Sequence, residues 1–213
     1  MPAKSVIYIM PMADVLSQKP SKFIIGMYFA VTVVQRCIKI EESWWPSMTR
    51  QELKIVSGGQ TGVDQGALEA ALGLGIAWGG WVPKEWRAEN GTVPERFRAR
   101  MQEHASANYI VRTRQNVADS HATLILTDAY PLSGGTLRTR DFCTNLLRSH
   151  FVISFGETEA VGKVRRWLGQ FFAIEHPVPF VLNVAGPRES KSPGIQSRTR
   201  LFLTEVLNGM LEE

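Results

Sequence analysis

From Met48 onward, short apolar runs alternate with stretches in which apolar residues recur every three to four positions. Leu53–Ser57 (LKIVS) is the first such run and is closed by glycines. Val63, Ala67, Ala70, Ala71 and Leu74 follow at helical spacing, with Gly73 and Gly75 marking the end of the helix. Ile76–Val82 reads as a short strand or extended segment leading to Pro83, and residues 83–95, rich in Gly, Pro and charge, read as a loop. Helices are expected around Pro94–Glu103 and Arg112–Asp119. Ala122–Thr127 (ATLILT) is the strongest strand signal, apolar on both faces. A helix over Thr136–Arg148, a strand over Phe151–Phe155, a helix over Glu159–Phe172 and a strand over Phe180–Val184 complete the alternation. The last element is a long amphipathic helix over Pro193–Leu211, with Ile195, Phe202, Val206 and Met210 on one stripe. Near-continuous apolar strands separated by helices imply a three-layer α/β fold, a doubly wound and mainly parallel sheet covered on both faces.

The first 47 residues break this pattern. Residues 23–34 (FIIGMYFAVTVV) form one apolar run, shorter than the roughly 20 residues a membrane-spanning helix needs. Lys4, Lys19 and Lys22 precede it in the manner of a signal peptide, but no small-residue cleavage site follows. The expected division is an amino-terminal extension over 1–47 and one domain over 48–213. The extension is open to three readings: a mis-assigned start, an added strand or arm, or a targeting segment.

Composition narrows the function classes. The chain has 213 residues, 44% of them apolar, with 24 basic against 20 acidic side chains. That excludes a disordered chain, and a formal charge of +4 permits an anionic ligand without arguing for nucleic acid. Cys37 and Cys143 are too far apart in sequence for a clustered thiolate site, and a reducing, cytoplasmic setting is expected. His104, His121, His150 and His176 lie on different elements with no paired spacing, so no metal held directly by the protein is expected.

The candidate chemistry lies in three glycine-rich turns, each joining a strand end to a helix start: Ser57–Gly62 (SGGQTG), Ser133–Thr136 (SGGT) and Ala185–Ser190 (AGPRES). In a parallel sheet these share one edge, where ligands bind. Helix starts offer unpaired N–H groups and partial positive charge to an anion, and glycine lets the backbone approach it closely. None of the turns matches GxxxxGK[ST] or GxGxxG, which disfavours a nucleoside triphosphatase and a standard dinucleotide dehydrogenase. Thr61 with Asp64 also reads as an ordinary capping box, and Ser192-Pro193 as a helix start.

Six segments, SGGQTGVDQGAL (57–68), GGWVPK (79–84), RAENG (87–91), RQNV (114–117), SGGT (133–136) and LNVAGPRESKSPG (182–194), resemble the family named putative molybdenum carriers. That family is a circularly permuted branch of the Rossmann-like superfamily that includes lysine-decarboxylase-like proteins and phosphoribohydrolases. The resemblance spans roughly residues 52–208. It implies a Rossmann-like fold and binding of molybdenum cofactor, a phosphate-bearing pterin that brings its own metal. It further implies assembly into a homo-oligomer and delivery to molybdoenzymes. From the short apolar run and the modest charge, no membrane or nucleic-acid partner is expected.

Carried over by position, Gly58, Gly59, Thr61 and Gly62 line the first turn, Gly134, Gly135 and Thr136 the second, and Gly186, Arg188, Glu189 and Ser190 the third. Lys84, Arg87, Glu89 and Lys191 are secondary contacts. Trp78, Trp81 and Trp86 flank the loop and offer rings for stacking, with core packing as the plainer role. The main alternative is a nucleotide-binding enzyme that cleaves an N-glycosidic or phosphate bond of a nucleoside monophosphate. A nucleotide sensor is the second alternative. The sequence leans away from an enzyme: the phosphoribohydrolase turn begins with proline and is followed by acidic residues, whereas Ser133 begins this one and Leu137-Arg138-Thr139-Arg140 follow it. Asp141 and Asp64 are the weak catalytic candidates. His121 is expected to be a strand-start histidine and Cys143 a buried one.

Overall fold

The computed structural model describes residues 46–173 and 175–212. The apolar run at 23–34 and Cys37 lie outside the described residues. In chain order the elements are β1 (Leu53–Val56), α1 (Val63–Gly73), β2 (Ala77–Gly79), β3 (Trp81–Val82), a single 3-10 turn (Lys84–Trp86), β4 (Arg87–Ala88), β5 (Gly91–Thr92), α2 (Glu95–Arg98) and β6 (Gln102–Glu103). There follow α3 (Tyr109–Ala118), β7 (Ala122–Thr127), α4 (Gly134–Asn145), β8 (Ser149–Ser154), α5 (Ala160–Phe172), β9 (Phe180–Ala185) and α6 (Ile195–Asn208).

Five strands form one wholly parallel sheet in the order β2-β1-β9-β7-β8. ATLILT (β7) is an interior strand, paired with β9 on one edge and β8 on the other, and all six of its residues are buried. Counted from β9, the order becomes 3-2-1-4-5, that of a doubly wound Rossmann sheet. The last strand of the chain is therefore the first strand of the fold. The ends of the described domain meet accordingly: Met48 pairs with Leu211, and the Met48 N–H donates to the Met210 carbonyl at 2.8 Å. Helices α1, α6 and α5 pack in a row, and α3 packs on α4. Leu53, Ile55, Leu124, Leu126, Leu182 and Val184 form the buried sheet centre.

Several boundaries differ from the pattern in the sequence. The strand expected over Ile76–Val82 is split at Gly80, whose φ is +122° and whose Cβ, if present, would lie 2.1 Å from the Ser57 carbonyl oxygen. Beyond that break β3 leaves the main sheet and pairs with β6. The helix expected over Pro94–Glu103 is one turn, because the chain must return to that pairing. Phe97, Val82, Val93, Met101, Ala88 and Leu68 make a second small core beneath the loop. Helix α3 begins at Tyr109, three residues early, because the Asn108 side chain accepts from the Ile110 N–H at 2.9 Å. Helix α4 stops at Asn145, and β8 starts at Ser149 to pair along the whole of β7.

Cys143 is buried, as expected, and burial pushes its thiol pKa up. His121 sits at the start of β7 and accepts from the Val181 N–H at 2.8 Å, with partial burial holding its pKa down.

Gly186 shows how tightly the sheet edge is packed. An added Cβ would lie 2.4 Å from the Leu126 carbonyl oxygen and 2.6 Å from Val63 Cγ2. Gly186→Ala is expected to lower stability by about 1–3 kcal/mol through this overpacking, read as a fall in the urea midpoint at constant slope.

Candidate functional site

Strand neighbours run from β9 to β1 and β2 on one side and to β7 and β8 on the other, so the order reverses between β9 and β7. A crevice opens beyond the carboxyl ends of strands at such a point. Here it is a cavity of about 810 Å³, bordered by Thr127 and Asp128 at the end of β7 and by Ala185 and Gly186 at the end of β9. That is within the usual range for small-molecule sites. The three turns converge on it but contribute unequally.

The first helix start is already committed. Gly62 is the residue before α1, with φ +79°, and its N–H faces the Gln196 side-chain oxygen at 3.4 Å. The Val63 N–H donates to the Pro187 carbonyl at 3.1 Å. A Cβ on Gly62 would meet the Pro187 oxygen at 2.5 Å, so this glycine lets two turns touch each other. Gly59 packs against the second core, near Val93 and Val82. The capping box expected from Thr61 and Asp64 is not formed, because the Thr61 hydroxyl donates to Glu89. Only Gly58 and Gln60 of this turn border the cavity, together with Asp64.

The third helix start is committed as well. Helix α6 begins at Ile195, not at Ser192, and the Glu189 carboxylate accepts from the Gly194 N–H at 2.5 Å and the Gln196 N–H at 3.0 Å. A charged side chain therefore occupies the position that an anionic ligand would take. Ser190 donates through its hydroxyl to Glu89 at 2.5 Å. From this turn Gly186, Arg188 and Lys191 border the cavity, whereas Glu189 and Ser190 do not.

The second turn is different. Ser133 precedes α4 with no side-chain cap, and the N–H groups of Gly134, Gly135 and Thr136 have no partner among the described residues. All three residues border the cavity. This is the open helix start, and it carries unpaired donors together with the positive end of a twelve-residue helix.

Charge is arranged around these donors in pairs. Arg198 from α6 binds Asp128 in a two-pronged pair, at 2.5 and 2.9 Å. Arg112 from α3 lies 3.3 Å from Asp64, and both side chains are about nine-tenths buried. Burial pushes the Asp64 carboxyl above its ordinary range, and Arg112, the Gln60 N–H and Ser57 pull it partway back. Two cations remain. Lys191 has no ion pair among the described residues, and Arg188 is half exposed, 3.9 Å from Glu89, with its guanidinium 5.5 Å from the Tyr109 ring centre.

Tyr109 is the aromatic side chain that borders the cavity. The tryptophans do not reach it. Trp78 packs against both cores under Arg100, the Trp81 ring N–H donates to Asp119 at 2.7 Å, and Trp86 lies under Arg98. Lys84 and Arg87 are exposed on the loop, away from the cavity lining. Asp141 also lies outside the lining and is bound by its neighbour Arg140 at 2.7 Å.

Glu89 holds the loop down on the site. Its carboxylate accepts from Thr61, from the Ser190 hydroxyl and from the Ser190 N–H at 3.2 Å, while its own N–H donates to Gln60 Oε1 at 2.7 Å. Burial raises the Glu89 pKa, but the Ser190 and Thr61 donors and Arg188 outweigh it, so the carboxyl lies below its ordinary value. The stabilisation it provides is therefore present above pH 4.5 and is lost as the pH falls through the depressed value. Glu89→Gln is expected to speed hydrogen exchange across residues 82–93 about tenfold at pH 7 through loss of charge-assisted hydrogen bonds, with little difference from the parent at acid pH.

Sequence reasoning missed Arg112, Asp128, Arg198 and Tyr109. Asp128 had a signal, lying one residue beyond the strongest strand. Arg198 projects from the polar side of an amphipathic helix, and nothing local distinguishes Arg112 from its neighbours.

Among the described residues no group of His, Cys, Asp or Glu is placed to hold a metal ion, and no helix is long and apolar enough to cross a membrane. A search of curated proteins finds no significant match. A crystal structure of a "putative molybdenum carrier protein" from Syntrophus aciditrophicus is similar at 37% identity, covering 74% of this chain and 96% of that one, with a TM-score of 0.65. The model of the circularly permutated YpsA SLOG family matches residues 55–207. The displaced first strand β9, the sheet order and this match together place the chain in that family.

Proposed function

We propose that this protein binds a phosphate-bearing heterocycle in the cavity between β9 and β7, and that the ligand is molybdenum cofactor, held for storage or transfer to molybdoenzymes. The observation that carries this reading is the open start of α4. Its three unpartnered N–H groups border a cavity that also holds Lys191 and Arg188. A phosphate there would gain charge-assisted hydrogen bonds from the amides and attraction from the two cations. The Tyr109 ring, backed by Arg188, offers a face for a flat ring system. The name of the Syntrophus protein points to the same class of ligand.

The residues fit that cofactor in its organic part. The cavity lining has no thiol or imidazole, so this chain's role is to hold phosphate and ring while the pterin retains the metal. The domain that performs this begins at Met48.

Bond cleavage has less support than binding. Both carboxylates in the lining, Asp64 and Asp128, are engaged by arginines, and Asp141 is outside it. Thermal unfolding with free molybdenum cofactor, GMP and an unphosphorylated pterin tests the reading. At a hundredfold excess over Kd, a bound ligand adds about 2.7 kcal/mol. The phosphorylated ligands are expected to raise Tm by about 5–10 °C and the unphosphorylated pterin much less. No rise with any phosphorylated ligand would overturn it.

A further inference from the structure

The cavity lining also contains donors that nothing among the described residues uses. Arg112 is 9% exposed, and its guanidinium lies directly over Gly58: an added Cβ there would fall 1.4 Å from Nη1 and 2.1 Å from Cζ. Gly58 therefore makes room for this side chain. Nη1 faces Asp64, while Nε is buried without a hydrogen-bond partner. Nε and Nη2 form one edge of the guanidinium fork, and that edge has no acceptor among the described residues. Gln60 is 4% exposed and borders the same cavity. Its oxygen is used by the Thr61 and Glu89 N–H groups, and its Nε2 is buried without a partner. Buried donors left unpaired are costly and rare.

An acceptor supplied by a ligand would satisfy them, and its charge can be argued. Asp64 already balances Arg112 at 3.3 Å. A phosphate placed on the same guanidinium would bring a dianion beside a buried carboxylate, and like charges at that distance repel strongly. A neutral carbonyl meets no such penalty. The phosphate has its own place at the amides of α4.

We infer that Arg112, with Gln60, is the specificity-determining element of the cavity and reads a ring carbonyl, selecting oxo-substituted bicyclic heterocycles, such as 4-oxopterins and 6-oxopurines, over their amino-substituted counterparts. This rests on the proposal that the cavity holds a phosphate-bearing ring. An exocyclic amino group in place of the carbonyl sets donors against donors, which sites of this kind reject strongly.

Equilibrium binding of GMP, IMP and AMP by calorimetry separates these atoms, because all three carry the same ribose phosphate. GMP and IMP are expected to bind about tenfold more tightly than AMP. Arg112→Lys, which keeps a cation beside Asp64 but removes the fork, is expected to bring the GMP to AMP affinity ratio close to one. The comparison of the three nucleotides with the parent protein needs no variant and stands even if Arg112→Lys does not fold. A GMP to AMP ratio below fivefold would overturn the inference while leaving the phosphate reading intact. Failure of all three nucleotides and of molybdenum cofactor to bind would overturn both.

Discussion

Gly135→Asp is expected to reduce ligand affinity at least about a hundredfold, the loss of a few charge-assisted hydrogen bonds, while leaving the fold as stable as before or slightly more so. The position tolerates a side chain: an added Cβ at Gly135 meets nothing within 4 Å, and its φ is not in the left-handed region, unlike that of Gly134 at +55°. An aspartate in the first turn of α4 would stabilise the helix by roughly 0.3–1 kcal/mol through its dipole. The same carboxylate would claim the unpaired amides and repel a phosphate. Helix α6 already carries this arrangement in Glu189, which is why its turn is not the phosphate site proposed here. Asp141→Ala serves as the companion variant and is expected to leave binding within twofold, because Asp141 stands outside the cavity with Arg140. Calorimetric titration with GMP checks both. Undiminished binding by the Gly135→Asp protein would refute the role of this helix start.

Arg112→Met is expected to carry the largest stability cost, about 3–5 kcal/mol, since it strands a buried carboxylate. Burial raises the Asp64 pKa, and Arg112 is the strongest influence lowering it. Without the guanidinium, Asp64 would titrate higher still. A carboxyl whose folded pKa lies above its unfolded one favours folding while protonated, and that advantage disappears as pH rises through the folded value. The deficit should therefore be smaller at pH 5 than at pH 8. Replacing Asp64 by Asn in the same protein should recover much of it by removing the charge. Urea unfolding of the single and double variants at the two pH values measures this. An unchanged midpoint for Arg112→Met would show that the pair does not support the fold.

These two expectations mark where the sequence was readable and where it was not. ATLILT announced a doubly covered strand because burial on both faces leaves no charged positions and only two small threonines, and it lies inside the central sheet. The three glycine turns were visible for a similar reason, since strand-to-helix turns at a ligand edge need small residues. Which turn remains open was not visible. Gly62 is taken up by Gln196, 134 residues away, and Val63 by Pro187. Glu189 reaches its helix start only because the backbone folds into the left-handed region at Gly194. Such pairings are set by the tertiary fold, and a local motif carries no record of them. The same holds for Arg112, whose meaning depends on Gly58 lying beneath it. Trp78 and Trp86 took the plainer packing role offered for them, since large aromatic side chains signal burial more often than stacking, whereas Tyr109, which borders the cavity, was not singled out.

The domain is thus a Rossmann-type sheet whose first unit, β9 and α6, has moved to the end of the chain. Its switch-point cavity is bounded by two internally neutralised ion pairs and one helix start with unused donors. Neutralised walls with one electropositive locus suit a ligand that has a single anionic group on an otherwise uncharged ring.

The most direct measurement is mass spectrometry of the small molecules released from purified protein, comparing the parent with Gly135→Asp. A phosphorylated, oxo-substituted heterocycle is expected from the parent and not from the variant. Release of the same phosphorylated compound from both, or of none from the parent, would contradict it.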